Sequence, residues 1–460
     1  ILAQAKRWPP APISTAFRLG RQGFRGQAGA VVWASMATVV FLDDLESYVA
    51  QYGVHGGILR LQFIAETATD RTCKVEAYKL CLDLLKRTTN TRSYFEVHAA
   101  LKDQMEAEET HAPNFDAVWA EATAKQATIL KDVYEQDLQQ AKTSQIRESI
   151  RNCYVQLAAF ATEQGDYATA LRNTSKSREF CSDPRTVFTT CMSIIKLNVL
   201  LRQYADIQTF ANKAQHTPFK EEFPADQSKL AAAHGLYHLT NGKYKEAALA
   251  FVQVKPQDLS CAANFNFSDV LCAQDVAVYG VLSALASLDR SEVQTRLLGS
   301  ANFRECLDLV PQLRDLCLDF CSCRYAACLA TLASMRNAWE LDIHLSSKVA
   351  DILQQIRSKS MVQYFAPFLS VSLHSMAQAF NTDVDGIQAE VAELVGKRQL
   401  DAKIDSQRKI LHVRHANQRK VTYQNAMRVS EDFLDTTQAL LLRMNLLKRD
   451  FGVYVARQKK

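Results

Sequence analysis

The stretch Met361–Gln418, MVQYFAPFLSVSLHSMAQAFNTDVDGIQAEVAELVGKRQLDAKIDSQRKILHVRHANQ, changes its hydrophobic period part-way along. Leu373, Met376 and Phe380 fall three and then four residues apart, one face of a helix. Thr382, with Asp385 three residues on, has the form of a capping-box start. Val384, Ile387, Val391 and Leu394 then share a face of the next helix. After Gly396 the period drops to two. Leu400, Ala402 and Ile404 alternate with Asp401, Lys403 and Asp405, and Leu411 and Val413 alternate with His412 and Arg414. The expected order is two short helices, a third helix, and two strands joined by a polar turn.

That order is the order of a winged helix. A winged helix can read DNA by laying its third helix in the major groove. Here that helix carries Asp383, Asp385, Glu390 and Glu393 before Lys397, so it would meet the phosphates with charge of like sign. A two-stranded wing, in contrast, leaves an unpaired edge to which a neighbour's strand can add. The expectation is a protein-docking module and not a winged-helix transcription factor.

Upstream the chain is helical. Only Pro113, Pro184, Pro218, Pro224, Pro256, Pro311 and Pro367 follow residue 42, and so few breakers imply long helices. Leu59, Phe63 and Ile64 form one stripe, and Val75, Tyr78, Cys81, Leu82 and Leu85 another; residues 103–114 read as a loop. IRESIRNCYVQLAAFATEQGDYATALRNTSKS reads as helix, Gly165-Asp166 turn, helix, and KLAAAHGLYHLTNGKYKEAALAFVQV repeats the form around Asn241-Gly242. The turn tyrosines Tyr167, Tyr204 and Tyr244 lie 37 and 40 residues apart, with Tyr94 73 residues before Tyr167. This is the period of a tetratricopeptide-like solenoid. The pattern fades after Phe251, though helices continue up to the winged helix.

Past it, Phe433, Thr437, Leu440, Met444, Leu447 and Phe451 are spaced 4, 3, 4, 3 and 4, a heptad seam. A lone amphipathic helix at a chain end needs a cover for its seam. Either it folds back or it joins helices of other chains. The expected units are a leader or disordered segment 1–42, helices 43–110, a solenoid 111–255, helices 256–360 leading into the winged helix 361–420, and a bundle helix 428–455.

Composition narrows the function. The net charge is +5, but Lys6, Arg7, Arg18, Arg21 and Arg25 are the only charges before Asp43; the remainder holds 49 basic and 49 acidic residues. That balance removes the compositional case for nucleic-acid or membrane binding. Residues 1–42 read either as a basic, then apolar targeting segment or as a disordered extension, such as a translated leader upstream of Met36, and the extension is the preferred reading; the run Ala28–Leu42 is too short to span a bilayer.

The chain shows no GxxxxGK[ST], GxGxxG following a strand, GxSxG or HExxH. Cys317, Cys321, Cys323 and Cys328 lack paired CxxC knuckles and share helices with Leu313, Leu316, Phe320 and Leu329, so they read as core thiols and not as a zinc site. The twelve cysteines read as reduced thiols of an intracellular protein. His412 and His415 read as surface residues. No catalytic constellation, metal or cofactor is expected.

A helical solenoid running into a winged helix resembles the PCI-domain family, and the chain closely resembles its COP-9 signalosome members. LESYVAQYGVHGGILRLQFIAE, IRESIRNCYVQLA, QGDYATAL, DVAVYG, MVQYFAPFLSVSLHSMAQAFN and RKILHVRHANQR carry the likeness, over roughly Leu42 to Lys448. The resemblance implies a non-catalytic scaffold, in cytoplasm and nucleus, of the complex that removes NEDD8 from the cullins of cullin–RING ubiquitin ligases. The peptidase of that complex lies in another subunit. The equivalent scaffold of the proteasome lid is the alternative. The partners implied are other signalosome subunits, with cullin–RING ligases met indirectly. They would be met through the wing, at Lys409, Ile410, His412 and Arg414, and through the terminal helix, at Phe433, Leu440, Met444, Leu447 and Phe451.

Overall fold

A computed structural model describes residues 45–106, 115–217, 224–260, 267–414 and 418–448. The segment 1–42, residues 107–114 of the expected loop, His415 and Phe451 lie outside them. Helices run the length of the described chain, with one small sheet near its end. The fold class is therefore the expected one: mostly α, a helical-repeat array, then a winged-helix subdomain and a terminal helix.

The repeats are helical hairpins closed by one turn. Arg147–Glu163 turns into Tyr167–Glu179, and Pro224–Thr240 into Tyr244–Phe251. In each, a glycine at positive φ reverses the chain, Gly165 at 77° and Gly242 at 74°, because a Cβ disfavours that region. The next amide then caps the first helix, Asp166 N to Ala161 O at 2.9 Å and Lys243 N to His238 O at 2.9 Å. Pro184–Leu200 turns the same way through Arg202 (φ 57°) and Gln203 N to Asn198 O at 2.8 Å, ahead of Tyr204.

A further copy was not legible in the sequence. Pro311–Cys321 turns through Cys323 (φ 61°), with Arg324 N donating to Asp319 O at 2.9 Å, into Tyr325–Glu340. No glycine marks it. Tyr94 departs from the pattern in the other direction. It lies inside the helix Thr91–Glu106, not at its first residue, and packs on Phe115 and Trp119.

Two large cores result. One gathers buried apolar residues from Leu45 to Met105; the other runs without a break from Phe188 to Leu411, through the repeats and into the winged helix. A buried polar knot joins their elements. Arg60, on the helix Val54–Thr67, donates to Asp275 Oδ2 at 2.8 Å and to Asp342 Oδ2 at 3.4 Å, its side chain only 3% exposed. Tyr52 donates to the other oxygen of Asp275 at 2.7 Å, and Tyr279 to Asp342 at 2.8 Å. The Tyr204 hydroxyl shares a hydrogen bond with His344 Nδ1 at 2.8 Å, its direction set by the tautomer of the ring.

Close backbone approach supports this joint. A Cβ on Gly56 would lie 2.2 Å from the Asp269 carbonyl oxygen. Through Arg60 and Asp275, the motifs GVHGGILR and DVAVYG are the two sides of one contact.

Candidate assembly site

Three strands, not two, make up the wing. β1 (Ser370–Ser372) precedes the helix Leu373–Phe380; β2 (Ala402–Asp405) and β3 (Ile410–Val413) follow the helix Val384–Gly396. The first short helix expected from Met361 is the end of Val349–Phe365. The apolar faces are as read: Leu373, Met376, Phe380, Ile387, Val391 and Leu394 are all buried. The capping box is not. Asp383 is the N-cap of the third helix without a side-chain bond, and Thr382 Oγ1 is buried without a partner.

Sheet order is β1-β3-β2, both pairings antiparallel. Val371 faces Leu411 on one side of β3, and Ile404 faces Leu411 on the other. Leu373 N donates to Lys409 O at 2.8 Å, Val413 N to Leu369 O at 2.9 Å, and Arg414 N to Asp401 O at 2.9 Å. The strand Lys409–Arg414 is therefore central, and its backbone has no edge to offer. This corrects the expected route of docking: the open edges belong to β1 and β2. β1 escaped the sequence reading because three residues with one apolar member, Val371, show no period.

The side chains on β3 remain available in part. His412 and Arg414 are exposed, whereas Ile410 is half-buried. Lys409 Nζ is held by Asp385 at 3.0 Å and Gln388 at 2.6 Å, pinning the wing's turn to the third helix. Glu390 meets Arg357 at 2.8 Å, and Glu393 meets Lys397 at 2.6 Å; Asp383, Asp385 and Glu393 are exposed. The outward side of this helix is thus acidic in three dimensions too, which disfavours a nucleic-acid backbone.

The terminal helix spans Gln418–Lys448, 31 residues, and begins ten residues before the expected start. At 1.5 Å per residue it is about 46 Å long. Among its described side chains all but Thr437, which is half-buried, are exposed. Phe433 is 69% exposed, Leu440 56%, Met444 64% and Leu447 62%. The described part of the seam has not folded back onto the body. Leu434, Leu441, Leu442 and Leu446 are exposed beside it, so the apolar surface is wider than the single heptad line. A monomeric protein rarely exposes so much contiguous apolar surface.

Residues 332–415 match the PCI domain family, and residues 116–296 match the family described as 26S proteasome subunit RPN7. COP9 signalosome complex subunit 1 of Arabidopsis thaliana is 36% identical over 416 residues, 90% of this chain and 92% of the relative. The chain belongs to the COP9 signalosome subunit 1 family. A Drosophila melanogaster member, subunit 1b, is 30% identical over 89% of this chain and 86% of its own length. The 26S proteasome non-ATPase regulatory subunit 6 of rice is 23% identical, over 46% of this chain and 53% of its own. The COP9 signalosome subunit 1 likeness thus extends across both cores, whereas the proteasomal one covers less than half of the chain. No helix among the described residues is long and apolar enough to cross a membrane.

Proposed function

We propose that the chain is a non-catalytic scaffold subunit of the COP9 signalosome, supporting removal of NEDD8 from cullin–RING ubiquitin ligases by holding other subunits in place. It works in cytoplasm and nucleus and meets the ligases indirectly. Two surfaces carry the assembly: the open edges of the wing, with His412 and Arg414 beside them, and the terminal helix. Residues 43–110, 111–255 and 256–420 act as the arm and body, and the apolar helix beyond them as the anchor.

The observation that carries this reading is the exposed apolar stripe Phe433, Leu440, Met444 and Leu447 on a helix whose described side chains contribute nothing to either core. Such a stripe is stable in water only when other helices cover it. The proteasome-lid alternative is disfavoured by the shorter span of the likeness.

The test is co-expression of a tagged full chain with the other signalosome subunits. Leu440→Asp places a carboxylate where an apolar contact is expected, and should weaken association at least about tenfold. The variant chain by itself should keep its circular dichroism and melting temperature, since Leu440 is exposed. Normal recovery of partners by Leu440→Asp and by Met444→Asp would remove the anchor role.

A further inference from the structure

A cleft opens where the N-terminal helices meet the later body. The helix Leu45–Ala50 gives it Tyr48, the helix Ala273–Ser287 gives it Gln274 and Asp275, and the end of Tyr325–Glu340 with the turn after it gives Trp339 and Asp342. The rest of the lining is aliphatic, and the cleft has a volume of about 50 Å³. That is room for a head group and a few methylenes, not for a whole cofactor.

The charge at its floor does not balance. Asp275 and Asp342 both line the cleft, with side chains only 8% and 14% exposed, and Arg60 is the only cation bonded to them among the described residues. Hydrogen bonds hold both groups as carboxylates. Tyr52 and the Cys272 amide donate to Asp275, and Tyr279 and the His344 and Leu345 amides donate to Asp342. His344 adds no charge, because burial lowers its pKa to about 3. One guanidinium against two carboxylates leaves a net charge of −1 in a buried place, where it is poorly screened. No Lys, Arg or His is among the residues that line the cleft.

The walls suit the same kind of guest. Tyr48 and Trp339 bring two aromatic side chains to the cleft. An aromatic face attracts a cation, and more strongly when water is excluded. The Tyr48 hydroxyl already accepts from Arg60 at 3.1 Å, so its ring is fixed from behind. Carboxylates at the floor, aromatic walls and aliphatic surroundings together match a cation carried on a hydrocarbon stem.

We propose that this cleft takes the alkylammonium end of a lysine side chain from a partner protein, its nitrogen against Asp275 and Asp342 and its methylenes between Tyr48 and Trp339. The guest neutralises the excess carboxylate without displacing Arg60. Because the cleft is walled by both the N-terminal helices and the later body, its occupation ties the two together. The site is separate from the wing and the terminal helix, and depends on neither.

The test titrates the native full chain with Nα-acetyl-lysine methylamide and, separately, with its norleucine analogue, which keeps the stem and lacks the nitrogen. Tryptophan fluorescence is the readout, with Trp339→Phe as the blank. The lysine probe should give a saturable change that the blank lacks, and the norleucine probe should bind at least about tenfold more weakly. Gln274→Lys, which puts a competing ammonium at the wall, should weaken the lysine probe about tenfold, whereas Gln274→Glu should not weaken it. Equal binding of the two probes, no response to the lysine probe, or native affinity in Gln274→Lys would each overturn the proposal. If n-butylamine binds more than about tenfold more tightly than the lysine probe, the cleft serves free amines and the partner assignment fails. Should Trp339→Phe lose its fold, the melting temperature of the native chain decides: the lysine probe should raise it and the norleucine probe should not.

Discussion

Arg60 is a side chain on which the N-terminal helices and the later body converge, and the groups around it show what holds the joint. Two carboxylates, Asp275 and Asp342, share its guanidinium, and three tyrosines, Tyr48, Tyr52 and Tyr279, lie close about it. Replacing Arg60 by Met would leave both carboxylates buried without their cation. We expect a loss of about 3–5 kcal/mol, read by chemical denaturation. His344 supplies a pH dependence. Burial, reinforced by the nearby Arg60 charge, lowers its pKa from 6.5 to about 3. The unfolded chain therefore takes up this proton first. The stability contributed by a neutral His344 is complete above pH 6.5 and is lost progressively as pH falls from 6.5 toward 3. The melting temperature should thus fall more steeply over that window in the native chain than in His344→Gln, whose side chain cannot protonate. Equal slopes would show that His344 is not kept neutral in the fold.

At the scale of elements, the wing teaches the difference between a strand pattern and a strand's neighbours. Alternation along Leu411–Val413 announced a half-buried strand, and Leu411 is fully buried. Alternation says nothing about what pairs on either side. With β1 and β2 both bonded to β3, proline at Ile410 removes a donor from the middle of the sheet. Ile410→Pro should therefore destabilise the subunit itself, lowering its melting temperature. Ser370→Pro is the contrasting variant. The Leu369, Val371 and Leu373 positions pair with β3, so alternation turns the Ser370 amide toward the open edge. It should leave the isolated chain folded and weaken docking at that edge. If Ile410→Pro melts like the native chain, the central placement of β3 is wrong.

For the whole molecule, the division between body and terminal helix is a division between buried and exposed apolar surface. The body satisfies itself: its core runs from Phe188 to Leu411, and the Leu45–Met105 core docks on it through the Arg60 knot. The described side chains of the helix Gln418–Lys448 add nothing buried to either. A chain ending at residue 414 should consequently keep the melting temperature of the full chain while losing its partners. A fall of more than about 4 °C, the shift expected from roughly 1–2 kcal/mol in a chain of several hundred residues, would mean that the helix packs on the body in solution.

The helices, the repeat period, the buried faces of the winged helix and the heptad line were legible because each is a local property: apolar residues recur at the spacing of the element that buries them. Tyr167, Tyr204 and Tyr244 marked hairpins from sequence alone, and Leu373, Met376, Ile387 and Val391 marked a core. What required the tertiary structure were relations between distant segments. Three residues of β1 have no period of their own, yet their pairing turns β3 from an edge into a centre. Cys323 carries no turn signal, yet the packing of its two helices holds it at positive φ. Arg60 lies 215 residues from Asp275 in sequence, and no local pattern reveals that a buried cation and its carboxylate meet, because that contact is made only when the two cores close on one another.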